Sequence, residues 1–588
     1  MRKDIKSIFD IWNKLKYVLT MQQKRMGVYV LIMSVIGALF EMMGVSVIVP
    51  LIQVLLTPQV VRENPYIISA MSLFHITDNT AMLFFIFILV IGVYIVKNAF
   101  LTLLSWVRAR YASKIMKELS TTVMQSYMQR SYTFFVNTNT GDLLRGTFND
   151  SEGVYYVIYN GLRIIAEGLT IVCICIFVIN TDIYMAICMM ALGIICIYIM
   201  LVGFRKRMRE NGKQFREYNA ALYQQANQAY QGIKEIMVMG RQKFFTDRYE
   251  KTYEKKQRCY VNSAIASEMP AYLIEAICVC GILLAIMIRV NNMSDAQAYV
   301  PKLAAFAMAA FRIMPSLGKI SSAANIFIYN CPALEATYSV MKEVRANEAT
   351  QKQDESASNV GISFNDKLEI RNAVWKYQDA EEPTINHLNL SIKKGSSIGI
   401  IGESGAGKST LINVILGLFS VQDGTVEVDG LNINVIPKEW KRIIGYVPQE
   451  VYMTDDTIKN NVAFGIDEND ISEDRVWKAL AMASMDTYVH DLPEGLNTIV
   501  GERGIHFSGG QRQRLAIARA LYYDPQILIF DEATSALDNN TERVVMEAID
   551  ALHEMKTLII VAHRLSTIKN CDKVYKIVDG KAILCEES

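Results

Sequence analysis

The sequence predicts a multi-domain membrane protein: a six-helix α-helical transmembrane domain followed by an α/β P-loop domain. Three observations carry this reading. Apolar runs long enough to cross a bilayer recur through residues 1–340. From Ile362 onward, short β-rich runs alternate with amphipathic helical ones, the pattern of an α/β domain. Within that second part a Gly-rich stretch follows an apolar strand and opens a helix.

Six spans are expected, at about 26–56, 82–107, 153–180, 183–204, 261–290 and 298–328. The chain before them, Met1 to Arg25, is polar and of mixed charge. The first apolar run is too long for a signal-peptide core and reads as a retained helix. Basic residues cluster at alternate connections: before the first span, at Arg108, Arg110, Lys114 and Lys117, and at Arg205, Lys206, Arg207 and Arg209. The positive-inside rule therefore places both termini in the cytoplasm. The basic connections, 108–152 and 205–258, keep a helical period, as if the spans ran on into the cytoplasm. Residues 341–361 turn polar and read as a linker to a domain at 362–588. A net charge of +1 gives no sign of nucleic-acid binding. Cys173 and Cys175, two apart on a helix, point to different faces, so no metal site is expected there, and Cys571 and Cys585 lie in a domain expected to be cytosolic and reducing, so no structural disulfide is expected.

The chemistry is concentrated in the second domain. Gly402, Glu403, Ser404, Gly405, Ala406, Gly407, Lys408, Ser409 and Thr410 lie between the strand Ser397–Ile401 and a helical run, the context a P-loop needs. Glycines let the backbone wrap phosphates, Lys408 supplies a positive charge to them, and the Ser409 hydroxyl can ligate Mg²⁺. A second apolar run ends in Asp531 and Glu532. A buried strand that delivers two carboxylates suits Mg²⁺ binding by Asp531 and activation of the attacking water by Glu532.

Ser508-Gly509-Gly510-Gln511, followed by Arg512, Gln513 and Arg514, resembles the signature motif of ABC transporters. Phe507 stands where that family usually has leucine. The resemblance extends to further positions. It implies that Tyr377 stacks on adenine, although on its residues alone Tyr377 is equally an ordinary strand aromatic. It implies that Gln449 senses Mg²⁺ and the membrane domain, that Glu502 belongs to the exporter X-loop, that Asp538 belongs to the D-loop, and that His563 contacts the γ-phosphate. The family works with two membrane and two ATPase domains, and one chain holds one of each. The implied partner is a second copy, a homodimer with composite ATP sites in which Ser508 meets the nucleotide of the other subunit. Membrane domain first, with long helical extensions, resembles the exporter type. There the tips of the two extensions dock on ATPase domains, here around Tyr132–Asp142 and Gly240–Lys251.

The cargo has to be read from the membrane domain. Charged residues within spans are costly and face a cavity or a partner unless they snorkel to an interface. Glu41, Lys97, Arg163, Glu167, Glu268, Glu275, Lys302, Arg312 and Lys319 are of this kind. Lys97 and Arg312 have apolar residues on both sides, and Lys319 lies two turns beyond Arg312 on about the same face, so a basic wall suited to an anionic head group is expected. Glu41-Met-Met-Gly44 with Val-Ile-Val-Pro50, and Phe311-Arg-Ile-Met-Pro-Ser316, resemble bacterial lipid-linked oligosaccharide flippases. Asn64–Ile76 resembles the short external helix of that group. Ala271 departs from it, because a basic residue is expected after Pro270. The resemblance implies ATP-driven flipping of a polyprenyl-pyrophosphate glycan. The alternatives are export of peptides or hydrophobic drug-like molecules and, in a different class, a membrane-tethered ATPase without transport.

Overall fold

Helices that are apolar on every face hold together in lipid because each backbone amide is bonded within its own helix. The first half of the chain is built this way. The computed structural model describes residues 2–47, 79–181, 183, 186–187, 190–195, 205–290, 300–354, 363–378, 380–533, 539–553, 555–562 and 564–585. The chain divides into two units, Met1–Arg130 with Asn137–Gln351, and Ser131–Val136 with Lys352–Ser588.

The first unit is helical. Its long helices are Arg2–Val18, Met21–Ser46, Asn79–Met128, Ser151–Thr181, Arg205–Gln231, Gln242–Val290 and Val300–Asp354. Among the described residues, four helices are long and apolar enough to cross a membrane, within Met21–Ser46, Phe84–Met128, Thr140–Asn180 and Gln242–Gly281. The expected span at 183–204 lies largely outside the described residues, as does all of Asn64–Ile76. The expected sixth span falls in Val300–Asp354. Asn79–Met128 has 50 residues. At 1.5 Å rise per residue it is about 75 Å long, against roughly 30 Å of bilayer core, so much of it projects beyond the lipid. Phe84, Ile88, Ile91 and Ile95 are exposed on one helical stripe, the face that lipid covers.

Local chemistry sets where the helices begin and how they meet. Thr20 and Gln23 form a reciprocal capping box at the start of Met21–Ser46. Gln23 then offers its carbonyl to the Tyr111 hydroxyl at 2.9 Å, tying that helix to Asn79–Met128. Asp150 is buried and accepts two hydrogen bonds from the Arg216 guanidinium, at 2.6 and 2.8 Å. The stretch read as a linker differs from expectation at its start, because the last helix continues to Asp354. Its alanine, glutamate, glutamine and lysine residues favour helix. Met341 and Val344 are buried, Glu343 pairs with Arg130, and the Arg345 guanidinium lies 4.3 Å from the Tyr17 ring.

Among the described residues, the second unit holds ten strands: β1 Lys367–Trp375, β2 Ile385–Lys393, β3 Ser397–Gly402, β4 Asp423–Val428, β5 Leu431–Asn432, β6 Ile444–Val447, β7 Ile527–Asp531, β8 Thr557–Val561, β9 Lys573–Val578 and β10 Lys581–Cys585. An antiparallel sheet has the order β2-β1-β4-β5. A second sheet has the order β10-β9-β3-β8-β7-β6, parallel from β9 to β6 with β10 antiparallel at its edge. β7 and β8 are buried along their whole length, as unbroken apolar runs in a covered parallel sheet should be. Ile527, Ile529, Ile559 and Val561 pack into the core with the antiparallel sheet and the helix Lys408–Ile415. Leu528, Phe530, Leu558 and Ile560 pack on the other side, with helices that include Gly509–Leu521.

Trp440 is buried in the first of these cores, and its indole N–H donates to the Ile415 carbonyl at 2.8 Å. Trp440→Ala should cost about 3–5 kcal/mol of stability. Trp440→Phe should cost less, since it loses the hydrogen bond but fills most of the volume. Thermal unfolding of the purified protein checks the order.

Candidate nucleotide site

Parallel pairing puts the carboxyl ends of neighbouring strands on one edge of the sheet. In β8, Val561 stands opposite Ile400 of β3 on one side and Asp531 of β7 on the other. The loop after β3 and the acidic pair ending β7 therefore emerge at the same level.

The loop is shaped by its glycines. Gly405 and Gly407 have φ of +85° and +102°, a region most side chains avoid. A Cβ on Gly407 would also come within 2.9 Å of the Thr384 carbonyl. Gly407 caps the helix Lys408–Ile415 without a side-chain hydrogen bond. Its first-turn N–H groups are thus open to an anion. Lys408 is buried, and its ammonium donates to the carbonyls of Gly402 and Glu403 at 2.8 and 3.0 Å, which holds the charge inside the loop. Glu403, Ser404 and Ser409 are exposed, Ala406 is half-buried and Thr410 is buried. These features fit a triphosphate.

Asp531 is buried, and burial together with the Glu532 carboxylate pushes its carboxyl above the usual aspartate range. A cation at this position would relieve that penalty, which makes Asp531 and the Ser409 hydroxyl a fitting pair for Mg²⁺. The Tyr446 hydroxyl donates to Asp531 at 3.4 Å. Glu532 has φ of +49°, a strained conformation for a non-glycine residue. Its carboxylate accepts from the Gln449 amide at 2.5 Å. The structure thus brings together Gln449, Asp531 and Glu532.

Tyr377 is partly exposed, and its hydroxyl lies 3.3 Å from Thr410 Oγ1. Ser508 caps the helix Gly509–Leu521. Its hydroxyl accepts from the Gln511 N–H at 3.3 Å, and the Gln511 carboxamide accepts from the Ser508 N–H at 2.8 Å. Ser508, Gly509 and Glu502 are exposed, whereas Gly510 is buried. Phe507 is buried against the Tyr488 ring, so this position serves the core and asks only for an apolar side chain. Asp538 and His563 lie outside the described residues.

In the first unit Glu41, Lys97, Glu167, Arg312 and Lys319 are paired, whereas Glu268 and Glu275 are exposed and Arg163 is half-buried. Glu41 is buried and binds both Lys97, at 3.3 Å, and Arg312. A Cβ on Gly44 would already lie 3.1 Å from Lys97 Cδ, so the glycine makes room for the lysine. Lys97 also lies 4.4 Å from the centre of the Tyr94 ring. Lys319 pairs with Glu167 at 3.2 Å. The side chain of Lys302 is outside the described residues.

Sequence reasoning missed Tyr446, the rings packed around Tyr377, and the role of Glu41 as shared partner of two cations. Only Glu41 left a signal, because a carboxylate in an apolar span needs a counter-ion.

A P-loop and an acidic pair at one sheet edge, in a chain whose other unit is made of membrane-length helices, define an ATP-driven membrane transporter. Residues 385–535 match the ABC transporter family model, and residues 28–314 match the ABC transporter transmembrane region. The chain is 30% identical to an ATP-dependent lipid A-core flippase of Pseudoalteromonas translucida, over 84% of each chain. It is 29% identical to one from Salmonella typhimurium, over 86% of this chain and 85% of the relative. The fold matches the structure of a bacterial Atm1-family ABC exporter with ATP bound, with a TM-score of 0.71, 22% identity, and coverage of 96% and 94% of the two chains. The chain belongs to the ABC transporter family, as an exporter that couples ATP hydrolysis to transport.

With Glu532 beside Asp531 and held by Gln449, Glu532→Gln should lower ATP turnover by about 100-fold or more if Glu532 is the base that activates water. ATP binding should persist, since the loop and Asp531 are untouched. Turnover and equilibrium nucleotide binding on one preparation check this, and an unimpaired rate would remove Glu532 from the role of base.

Proposed function

We propose that this exporter flips an anionic lipid-linked saccharide, a polyprenyl-pyrophosphate glycan, across the cytoplasmic membrane. It works as a homodimer with both termini in the cytoplasm and uses ATP with Mg²⁺. Lys408 and the loop Gly402–Thr410 hold the phosphates. Ser409, Asp531 and Gln449 hold Mg²⁺, which neutralises phosphate charge. Glu532 orients and deprotonates water, with His563 at the γ-phosphate. Tyr377 stacks on adenine, and Ser508, Gly509, Gly510, Gln511 and Asp538 complete the site of the other subunit.

The observation that carries the substrate reading is the cluster of Glu41, Lys97 and Arg312. Two cations meet one carboxylate, which leaves one positive charge over inside the apolar unit. The buried Nε–H of Arg312 has no hydrogen-bond partner among the described residues. A phosphate oxygen would satisfy both deficits. The names of the relatives favour a second cargo, a lipid A-core. The homodimer is supported by the one set of ATP-site motifs per chain and by apolar side chains left exposed around the helix Ile233–Val238, among them Tyr230, Met237, Val238 and Met239.

Mixing Lys408→Ala chains with Ser508→Arg chains tests the composite site. Mixed dimers keep at most one intact site, so they should hydrolyse ATP at no more than about half the wild-type rate. A rate carried by isolated monomers would contradict the shared site. For the cargo, Lys97→Ala with Arg312→Ala should slow flipping of a labelled polyprenyl-pyrophosphate glycan in liposomes by about 10-fold or more. Basal ATP turnover should change less. Parallel assays with lipid A-core and with a cationic peptide sort the cargoes. If the double variant flips the glycan at the wild-type rate, the anionic site is wrong and the peptide or drug reading takes its place.

A further inference from the structure

We propose that four aromatic rings, Tyr132, Phe419, Trp375 and Tyr377, form a relay that sets the pose of the adenine-stacking ring, with Tyr132 as a positioning residue for the nucleotide. This rests on the reading of Tyr377 as the adenine platform. Residues Ser131–Val136 leave the first unit and belong to the second, although they lie in sequence between the helices Asn79–Met128 and Ser151–Thr181. The Tyr132 ring lies 5.7 Å from the Phe419 ring, tilted by 37°. Phe419 stacks on Trp375 at 4.3 Å and 6°. Trp375 meets Tyr377 edge-on at 4.3 Å and 84°, and Phe419 meets it edge-on at 6.1 Å.

These contacts have a division of labour. Trp375 ends β1 and Tyr377 follows two residues later, where the two rings meet edge-on. Trp375 and Phe419 are only 5% and 2% exposed, and they grip Tyr377 from the side. The Tyr377 hydroxyl is fixed at Thr410 of the phosphate loop. The pose of the ring is therefore set at its tip by the loop and along its edge by the Phe419–Trp375 stack. Phe419 is in turn anchored next to the phosphate-loop helix, where its N–H donates to the Asn413 carbonyl at 3.1 Å. Tyr132 is the one member that comes from outside the ATPase sequence. It is 43% exposed, so its ring is not needed to fill a core. What it does is close the open side of Phe419. Edge-to-face and offset-stacked rings have geometric preferences that a merely apolar group lacks. Removing the Tyr132 ring frees Phe419 to tilt, and Trp375 and Tyr377 follow.

The test compares binding of ATP with binding of inorganic triphosphate, which has no base to stack, by the full-length protein in detergent. Tyr377→Ala should weaken ATP about 10-fold and leave triphosphate unchanged. Tyr132→Leu and Phe419→Leu should each weaken ATP about three-fold, again without effect on triphosphate, whereas Tyr132→Phe should bind as wild type. In the Tyr377→Ala background, Tyr132→Leu should add nothing, because the ring it positions is gone. Thermal unfolding of Phe419→Leu separates a lost fold from a lost pose, and Tyr132→Leu carries the test if Phe419→Leu fails to fold. Were Tyr377→Ala without effect on ATP, the adenine platform itself would be wrong. Were Tyr377→Ala effective but Tyr132→Leu silent, or the two effects additive, the relay would be overturned and the platform kept.

Discussion

Everything the second unit does depends on the parallel pairing of β3, β8 and β7. Val561 is the shared rung: it fixes the height of Ile400 and of Asp531 relative to each other. One residue of slip in either pairing would turn the acidic pair into the core and leave Lys408 facing empty space. Two dry cores hold the register, since successive residues of β7 and β8 are claimed by opposite faces. Packing thus does the work of aligning phosphate, metal and water chemistry, and the polar groups are delivered by it.

The first unit faces the opposite problem. Lipid gives little drive for apolar helices to meet, so specific polar contacts have a larger share in fixing them. Glu41, Lys97 and Arg312 come from three different helices. A carboxylate buried among apolar side chains is tolerated only with its partners in place, so this cluster restricts how those helices rotate. Gly44, one turn beyond Glu41, keeps the approach open. Farther along, Asp150 with Arg216, and Glu335 with Lys14 and Arg209, do the same for the polar stretches.

Much of this was legible from residues alone, and the limits have physical causes. The phosphate loop and the acidic pair are local: a few adjacent residues on a strand end carry the whole signal. The spans are legible because lipid demands length and apolarity together. The helix that overruns into residues 341–354 was hidden because polar composition is shared by linkers and by solvated helices, and only burial of Met341 and Val344 tells them apart. Tyr446 was hidden because its partner Asp531 lies far along the sequence and meets it only through the β6–β7 pairing. The pairing of Lys97 and Arg312 on one carboxylate was hidden for the same reason. Apolar flanks say that a charge needs company without saying whose.

In the proposed homodimer, the capping box at Ser508 has a consequence for how two chains would let go of each other. A hydroxyl has two acceptor sites and one proton. The cap occupies an acceptor site and so points the oxygen at its own helix, which leaves the proton to swing outward. On that proposal the serine would grip a phosphate across the interface without giving up its place in the helix, and would release it without leaving a buried group stranded. Gripping and letting go differ by one exchangeable hydrogen bond with water. Such a contact would be a reversible clasp, suited to a dimer that opens again at the end of every cycle.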